Sequence, residues 1–141
     1  MEDKVIGLDL DGTITPFTFF NLDIIPLPWW LFYLLAPFDF LSRPRKSVVE
    51  KMQLMVAQGY QFKVFTRRPK QFSRFTERRL AAHHVPFVSV FCVGIGRGAN
   101  ERKLKAIKEE KVDVFVDSSK AHCRFMKRNL INAVTSLDEI F

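Results

Sequence analysis

The sequence predicts an α/β protein, a three-layer α/β/α sandwich whose mainly parallel sheet has about five strands. Short apolar segments with strand character alternate along the chain with longer segments whose apolar residues repeat at helical spacing. The 141 residues also fit one domain with one core, which we expect to span 1–141 with an insert at about 14–41. Right-handed crossovers then place the carboxyl ends of all the strands along one edge, where such sheets bind ligands.

The individual elements follow in order from this alternation. Residues 4–9 (KVIGLD) form a short apolar strand that ends in the polar loop DGTITP, and residues 60–66 (YQFKVFT) form a second strand that ends at Thr66. A helix that starts after Pro44 and stops at Gly59 connects them. The remaining elements are a helix over 69–83, a strand over 87–93, a helix over 99–110, a strand over 112–117, a helix over 118–129 and a terminal segment from 130.

Polar side chains follow three of the predicted strands where each strand ends. Asp9 and Asp11 leave the first strand two residues apart, so their side chains point the same way. Thr66 ends the second strand and Asp117 ends the fourth. Carboxylates that share a site repel each other unless a cation intervenes, and Mg²⁺ takes one or two carboxylates together with waters and a substrate phosphate. We therefore predict a magnesium site at Asp9, Asp11 and Asp117.

Other residues near these strand ends suit a phosphate group. Thr66 offers a hydroxyl and a backbone N–H, Lys103 offers a positive charge, and Gly12 lets the first loop approach a ligand closely. Lys105 and Lys108 compete with Lys103 for this role, since they lie on the same predicted helix. Arg67 and Arg68 are either phosphate or substrate contacts or an exposed pair in a loop.

The segments DLDGT (9–13), FKVFTRRP (62–69) and K-x-x-AIKEEKVDVFVDSS (103–119) resemble the four ordered motifs of the haloacid dehalogenase superfamily. This resemblance covers nearly the whole chain apart from residues 14–41. It implies a Rossmann-like fold and hydrolysis of phosphate esters, because phosphatases of this superfamily carry a second acid at the position of Asp11.

The resemblance also implies a role for each matching residue. Asp9 attacks phosphorus to give an aspartyl-phosphate, while Asp11 protonates the leaving alcohol and then deprotonates the attacking water. Thr66 and Lys103 hold the phosphoryl oxygens. Mg²⁺ is held by Asp9, the main-chain carbonyl of Asp11, and Asp117.

The last motif departs from the pattern of the superfamily. Relatives often have a further acid there, whereas this chain has Ser118 and Ser119 directly after Asp117 and Ala121 where a later acid would lie. Metal binding is then weaker, or the second acid is dispensable. This departure keeps open an alternative function, a catalytically weak binding or membrane-associated module that uses the apolar insert.

The apolar insert is concentrated in residues 24–41. A membrane span there would place Asp9 and Thr66 on opposite sides of a bilayer, and three prolines, at 26, 28 and 37, would break its helix. We expect a short helix over 29–35 instead. Because it is apolar on every side, it packs as a small cap, contacts a partner subunit in a homo-oligomer, or lies on a lipid surface. The gaps between motifs are too short for a separate cap domain, so we expect an open site.

The composition of the chain narrows the classes of substrate and partner that we expect it to bind. The net charge of +7 favours an anionic substrate, such as a phosphorylated small molecule, a nucleotide or a lipid phosphate. There is no strong nucleic-acid signal, since an amphipathic helix explains the basic and aromatic residues after Arg67. Two cysteines without ligand spacing and a start unlike a signal peptide predict a cytoplasmic protein, with peripheral membrane contact as the alternative. The histidines, His122 among them, lack metal-ligand spacing and are expected at surface or packing positions.

Overall fold

The computed structural model of the chain describes residues 4–11, 13–15, 43–94 and 96–140. The predicted binding residue Gly12 lies outside these residues. So does the segment 24–41, together with its predicted helix and its predicted cap, subunit or lipid contacts. Ile14 and Thr15 are the described part of the predicted insert 14–41.

The strands of the described residues form one parallel sheet. Their order is β3-β2-β1-β4-β5, so β1 lies at the centre. This confirms the predicted α/β class with a parallel sheet of about five strands. The two strands predicted over 87–93 and 112–117 are shorter than expected, since the paired register extends only over Ser89–Cys92 and Val114–Val116. The strands are β1 (Lys4–Asp9), β2 (Tyr60–Thr66), β3 (Ser89–Cys92), β4 (Val114–Val116) and β5 (Ala133–Val134).

Four helices in the described ranges connect these strands. They are α1 (Lys46–Ala57), α2 (Ser73–Ala82), α3 (Ala99–Glu109) and α4 (Lys120–Arg128). The helix predicted over 69–83 begins instead with a 3₁₀ turn, because the N–H of Phe72 bonds to the carbonyl of Pro69 at 3.0 Å. None of the helices within the described ranges is long and apolar enough to cross a membrane.

Two clusters of buried side chains lie on opposite faces of the sheet and make the three layers. Helices α1 and α2 cover one face, and α3 and α4 cover the other. The first cluster includes Leu8, Val49, Met52, Phe62, Val64 and Leu80. The second includes Phe65, Ile107, Phe115, Cys123 and Met126.

Gly7 brings β1 close to the second cluster. A Cβ atom at this position would lie 3.0 Å from Phe115 Cδ2 and 3.1 Å from Phe65 Cε2, which is tighter than most Cβ contacts, so these rings would have to shift slightly. Gly7 therefore faces α3 and α4, and so does Asp9, because alternate residues of a strand share one face.

Candidate active site

The register of the sheet places the predicted site residues at one level. Leu8 pairs with Val116, so Asp9 and Asp117 follow on adjacent strands at the same height. Asp9 itself pairs with the residue before Thr66. The connections after β1 and β4 lead to opposite halves of the sheet, and ligands of such sheets bind at this switch point.

Helix α3 carries Lys103 into this edge of the sheet. The Lys103 side chain is only 1% exposed, and its Nζ donates a hydrogen bond of 2.6 Å to Oδ1 of Asp9. The same Nζ lies 3.7 Å from Oδ2 of Asp117. One buried ammonium therefore links the two carboxylates. Lys105 and Lys108, which competed with Lys103 in the sequence, are exposed.

The carboxyl group of Asp9 is difficult to ionise in this setting. Burial raises the pKa of Asp9 from 3.8 to about 6. Lys103 partly opposes the effect of burial, whereas the negative charge of Asp117 adds to it. The Asp9 carboxylate therefore has less positive charge around it than it needs, and a second cation would stabilise it.

Asp117 is held by the loop and helix that follow β4. Its Oδ1 accepts the backbone N–H of Ser119 at 2.9 Å, and its Oδ2 lies 3.0 Å from Nδ1 of His122. Burial alone would raise the pKa of Asp117, but the contacts from His122, Lys103 and Ser119 together lower it. The sequence predicts a surface or packing position for His122, and its side chain is 20% exposed beside Asp117. The available signal was its position on the first turn of the helix that follows the predicted metal ligand.

Asp11 contacts the last residue of β2 and the loop that follows it. Arg68 donates from Nε to Oδ2 at 3.1 Å and from a terminal nitrogen to Oδ1 at 2.6 Å. The hydroxyl of Thr66 also donates to Oδ2 of Asp11, at 3.1 Å. Arg67 and Arg68 are 8% and 4% exposed, so the interpretation of an exposed loop pair is wrong.

Thr13 connects the loops that follow β1 and β4. Its hydroxyl oxygen accepts the backbone N–H of Ser118 at 3.0 Å, and the hydroxyl lies 3.5 Å from Oδ2 of Asp9. The loop itself is tight, since the N–H groups of Ile14 and Thr15 both bond to the carbonyl of Leu10. Ser118 thus helps to fix the two loops against each other.

The described residues supply some of the oxygen ligands that a hard cation such as Mg²⁺ needs. Within the described ranges, no cluster of three or more His, Cys, Asp or Glu side chains is arranged to hold a metal ion. Asp9 and Asp117 nevertheless converge on one ammonium, while the carboxylate of Asp11 is paired with Arg68. Two carboxylates are what Mg²⁺ commonly takes from a protein, so this pair fits the ion.

Solved structures share this architecture at low sequence identity. A hydrolase of the haloacid dehalogenase-like family from Streptococcus pneumoniae aligns with 94% of this chain and 83% of its own, with a TM-score of 0.63 and 11% identity. The haloacid dehalogenase domain of the effector protein Lem4 from Legionella pneumophila aligns with 95% and 86%, with a TM-score of 0.59 and 12% identity. The chain has the haloacid dehalogenase-like fold. The fold implied by the sequence motifs is therefore confirmed.

The same haloacid dehalogenase-like fold occurs within a larger chain of the Pnkp1/Rnl/Hen1 RNA repair complex. That alignment covers 94% of this chain but 42% of the other, with a TM-score of 0.69 and 18% identity. The present chain thus spans less than half the length of that neighbour. Neither a protein-family model nor a curated protein matches the sequence. Likeness at this level of identity establishes the fold, and function has to be argued from the site.

Proposed function

We propose that this protein is a Mg²⁺-dependent phosphohydrolase that cleaves phosphate monoesters through an aspartyl-phosphate on Asp9. The observation that carries the proposal is the buried Lys103 ammonium, 2.6 Å from Asp9 and 3.7 Å from Asp117. A carboxylate nucleophile beside a fixed cation suits phosphoryl transfer, because that reaction depends on positioning and on stabilising negative charge. The motifs that resemble the haloacid dehalogenase superfamily support the same chemistry.

The proposed reaction has two steps. In the first, a carboxylate oxygen of Asp9 bonds to phosphorus, the bond from phosphorus to the ester oxygen breaks, and Asp11, starting in its protonated form, gives its proton to the leaving alcohol. In the second, water attacks phosphorus, the bond to Asp9 breaks, and Asp11 takes a proton from the water. Inorganic phosphate leaves, and both carboxyl groups return to their starting forms.

The phosphoryl oxygens are assigned to Thr66, Arg67, Lys103 and the main chain at Gly12. Lys103 supports this assignment because its ammonium already donates a hydrogen bond to the carboxylate of Asp9, which is the proposed nucleophile. Arg67 supports it because its side chain is buried at the carboxyl end of β2, next to Thr66. A buried guanidinium in this place offers positive charge in a setting where solvent screens it little.

Mg²⁺ would be held by the carboxylates of Asp9 and Asp117, with the carbonyl of Asp11 as the third ligand that the motifs imply. When bound, the ion supplies positive charge that stabilises the phosphoryl group as it is transferred. The raised pKa of Asp9 supports this assignment, because burial and the charge of Asp117 leave that carboxylate in need of a cation.

The substrate class proposed is a phosphate ester of a small molecule, a nucleotide or a lipid. The net charge of +7 supports an anionic substrate. The structural neighbours do not favour one class, since one belongs to an RNA repair complex and another is a domain of an effector protein.

Release of phosphate from 4-nitrophenyl phosphate tests the proposal. We expect turnover that requires Mg²⁺ and that Asp9→Asn abolishes, with a phosphorylated Asp9 detected by mass spectrometry after acid quench. Asp138→Asn is a matched control, because Asp138 is an exposed carboxylate paired with Lys51 on the surface. Turnover that persists in Asp9→Asn would refute the assigned nucleophile. Binding of phosphate without turnover would instead favour the binding-module alternative.

A further inference from the structure

Arg68 donates hydrogen bonds to both oxygens of the Asp11 carboxylate. The two hydrogen bonds of 3.1 and 2.6 Å form a fork, and the side chains of Arg68 and Asp11 are 5% and 4% exposed. A bidentate arginine fixes the orientation of a carboxylate as well as its charge, which a single hydrogen bond does not.

The backbone around Arg68 is fixed on both sides. Its N–H donates to the hydroxyl oxygen of Thr66 at 3.2 Å, and its carbonyl accepts the N–H of Gly94 at 3.1 Å. Thr66 in turn donates its hydroxyl to Asp11 at 3.1 Å. The carboxylate of Asp11, which lies beyond the end of β1, is therefore oriented by the last residue of β2 and the loop that follows it.

We propose that Arg68 is a positioning residue that acts through Asp11 and does not itself bind the phosphoryl group. The inference rests on the proposed function, in which Asp11 transfers protons. Proton transfer requires the donor and acceptor atoms to lie within about 2.6–3.2 Å, and a misplacement of about 1 Å can cost roughly 100-fold in rate. A buried ion pair contributes little net stability, so stability alone is a weak reason for this arrangement.

Arg68→Lys is the informative variant, because lysine keeps the charge that balances Asp11 but loses the fork. The variant is compared with the wild type on an alkyl phosphate, whose leaving group needs a proton, and on 4-nitrophenyl phosphate, whose leaving group does not. Arg78→Lys is the matched control, since Arg78 is exposed on α2. Thermal unfolding of each variant is measured alongside.

The two kinetic constants respond differently. The ratio kcat/KM reports the first step, so it should fall roughly 10- to 100-fold for the alkyl ester and less than about 3-fold for the nitrophenyl ester. Water attack is common to both esters and also uses Asp11, so kcat should fall for both. For the nitrophenyl ester, kcat and KM should therefore fall together. Arg78→Lys should leave kcat and kcat/KM unchanged for both esters.

Three results would overturn the inference while leaving the enzyme class intact. An equal fall of kcat/KM for both esters would mean that Arg68 binds the phosphoryl group or has only a structural role. An unchanged kcat/KM for both would mean that the fork does not matter.

If Arg68→Lys fails to fold, Arg68→Gln is combined with Asp11→Asn, which leaves no unpaired charge. Any further loss of nitrophenyl phosphate turnover beyond Asp11→Asn would then contradict action through Asp11. A wild type that cleaves neither ester would refute the proposed function itself, and with it this inference.

Discussion

Replacing Lys103 by methionine keeps most of the side-chain volume but removes the ammonium that lies 2.6 Å from Asp9 and 3.7 Å from Asp117. Removing one partner of a buried ion pair typically costs about 3–5 kcal/mol, because the remaining charge stays buried without compensation. For a chain of 141 residues, that loss lowers Tm by roughly 10–17 °C. We expect Lys103→Met to unfold at this lower temperature at pH 8 in the presence of a chelator.

The loss should depend on pH in a defined direction. The pKa of Asp9 is already raised to about 6 by burial, even though Lys103 lowers it, so it rises further in the variant. Where the folded pKa exceeds the ordinary value of 3.8, the folded state holds a proton that the unfolded chain releases, and stability falls as pH increases between the two values. The deficit of Lys103→Met should therefore be larger at pH 8 than at pH 5.

Urea and thermal unfolding at pH 5 and pH 8, with chelator or with Mg²⁺, measure these effects. Mg²⁺ should raise the Tm of Lys103→Met more than that of the wild type, because the metal replaces the missing charge. Lys105→Met is the control. Its side chain is 78% exposed and pairs with Glu109 at 3.8 Å, so it should cost less than about 0.5 kcal/mol. An equal deficit at both pH values, or one no larger than that of Lys105→Met, would refute the reasoning.

Three further predictions concern the metal and the core. The affinity for Mg²⁺ should weaken roughly tenfold for each pH unit below 6, because protonated Asp9 does not bind the ion. Calorimetry at pH 5, 6 and 7.5 measures this affinity, and an affinity that is constant across these pH values would contradict the prediction. His122→Phe removes the 3.0 Å contact to Asp117 and should raise the Kd for Mg²⁺ about 10- to 100-fold at pH 7.5. An unchanged Kd would show that His122 does not contribute to the metal site. Gly7→Ala places a Cβ 3.0 Å from Phe115 and should cost about 1–3 kcal/mol in urea unfolding, whereas an unchanged midpoint would show that β1 shifts freely.

The bounds of β1 and β2 follow from the sequence, because each apolar run stops at a polar residue that belongs at the sheet edge. Asp9 and Thr66 end these strands where they were predicted. The alternation of strands and helices also predicts a parallel sheet, and a parallel sheet brings the carboxyl ends of its strands together. For this reason the sequence alone places Asp9, Thr66 and Asp117 at one edge, as the structure confirms.

The partners of the charged side chains were decided by the tertiary structure. Arg68 and Asp11 are 57 residues apart, and Lys103 and Asp9 are 94 apart, so local periodicity carries no information about these pairs. Pairing depends on strand order and on the rotation of α3, which buries Lys103 and leaves Lys105 in solvent. Helical and strand periods determine which face a residue occupies, but packing in three dimensions determines which opposite charge it meets.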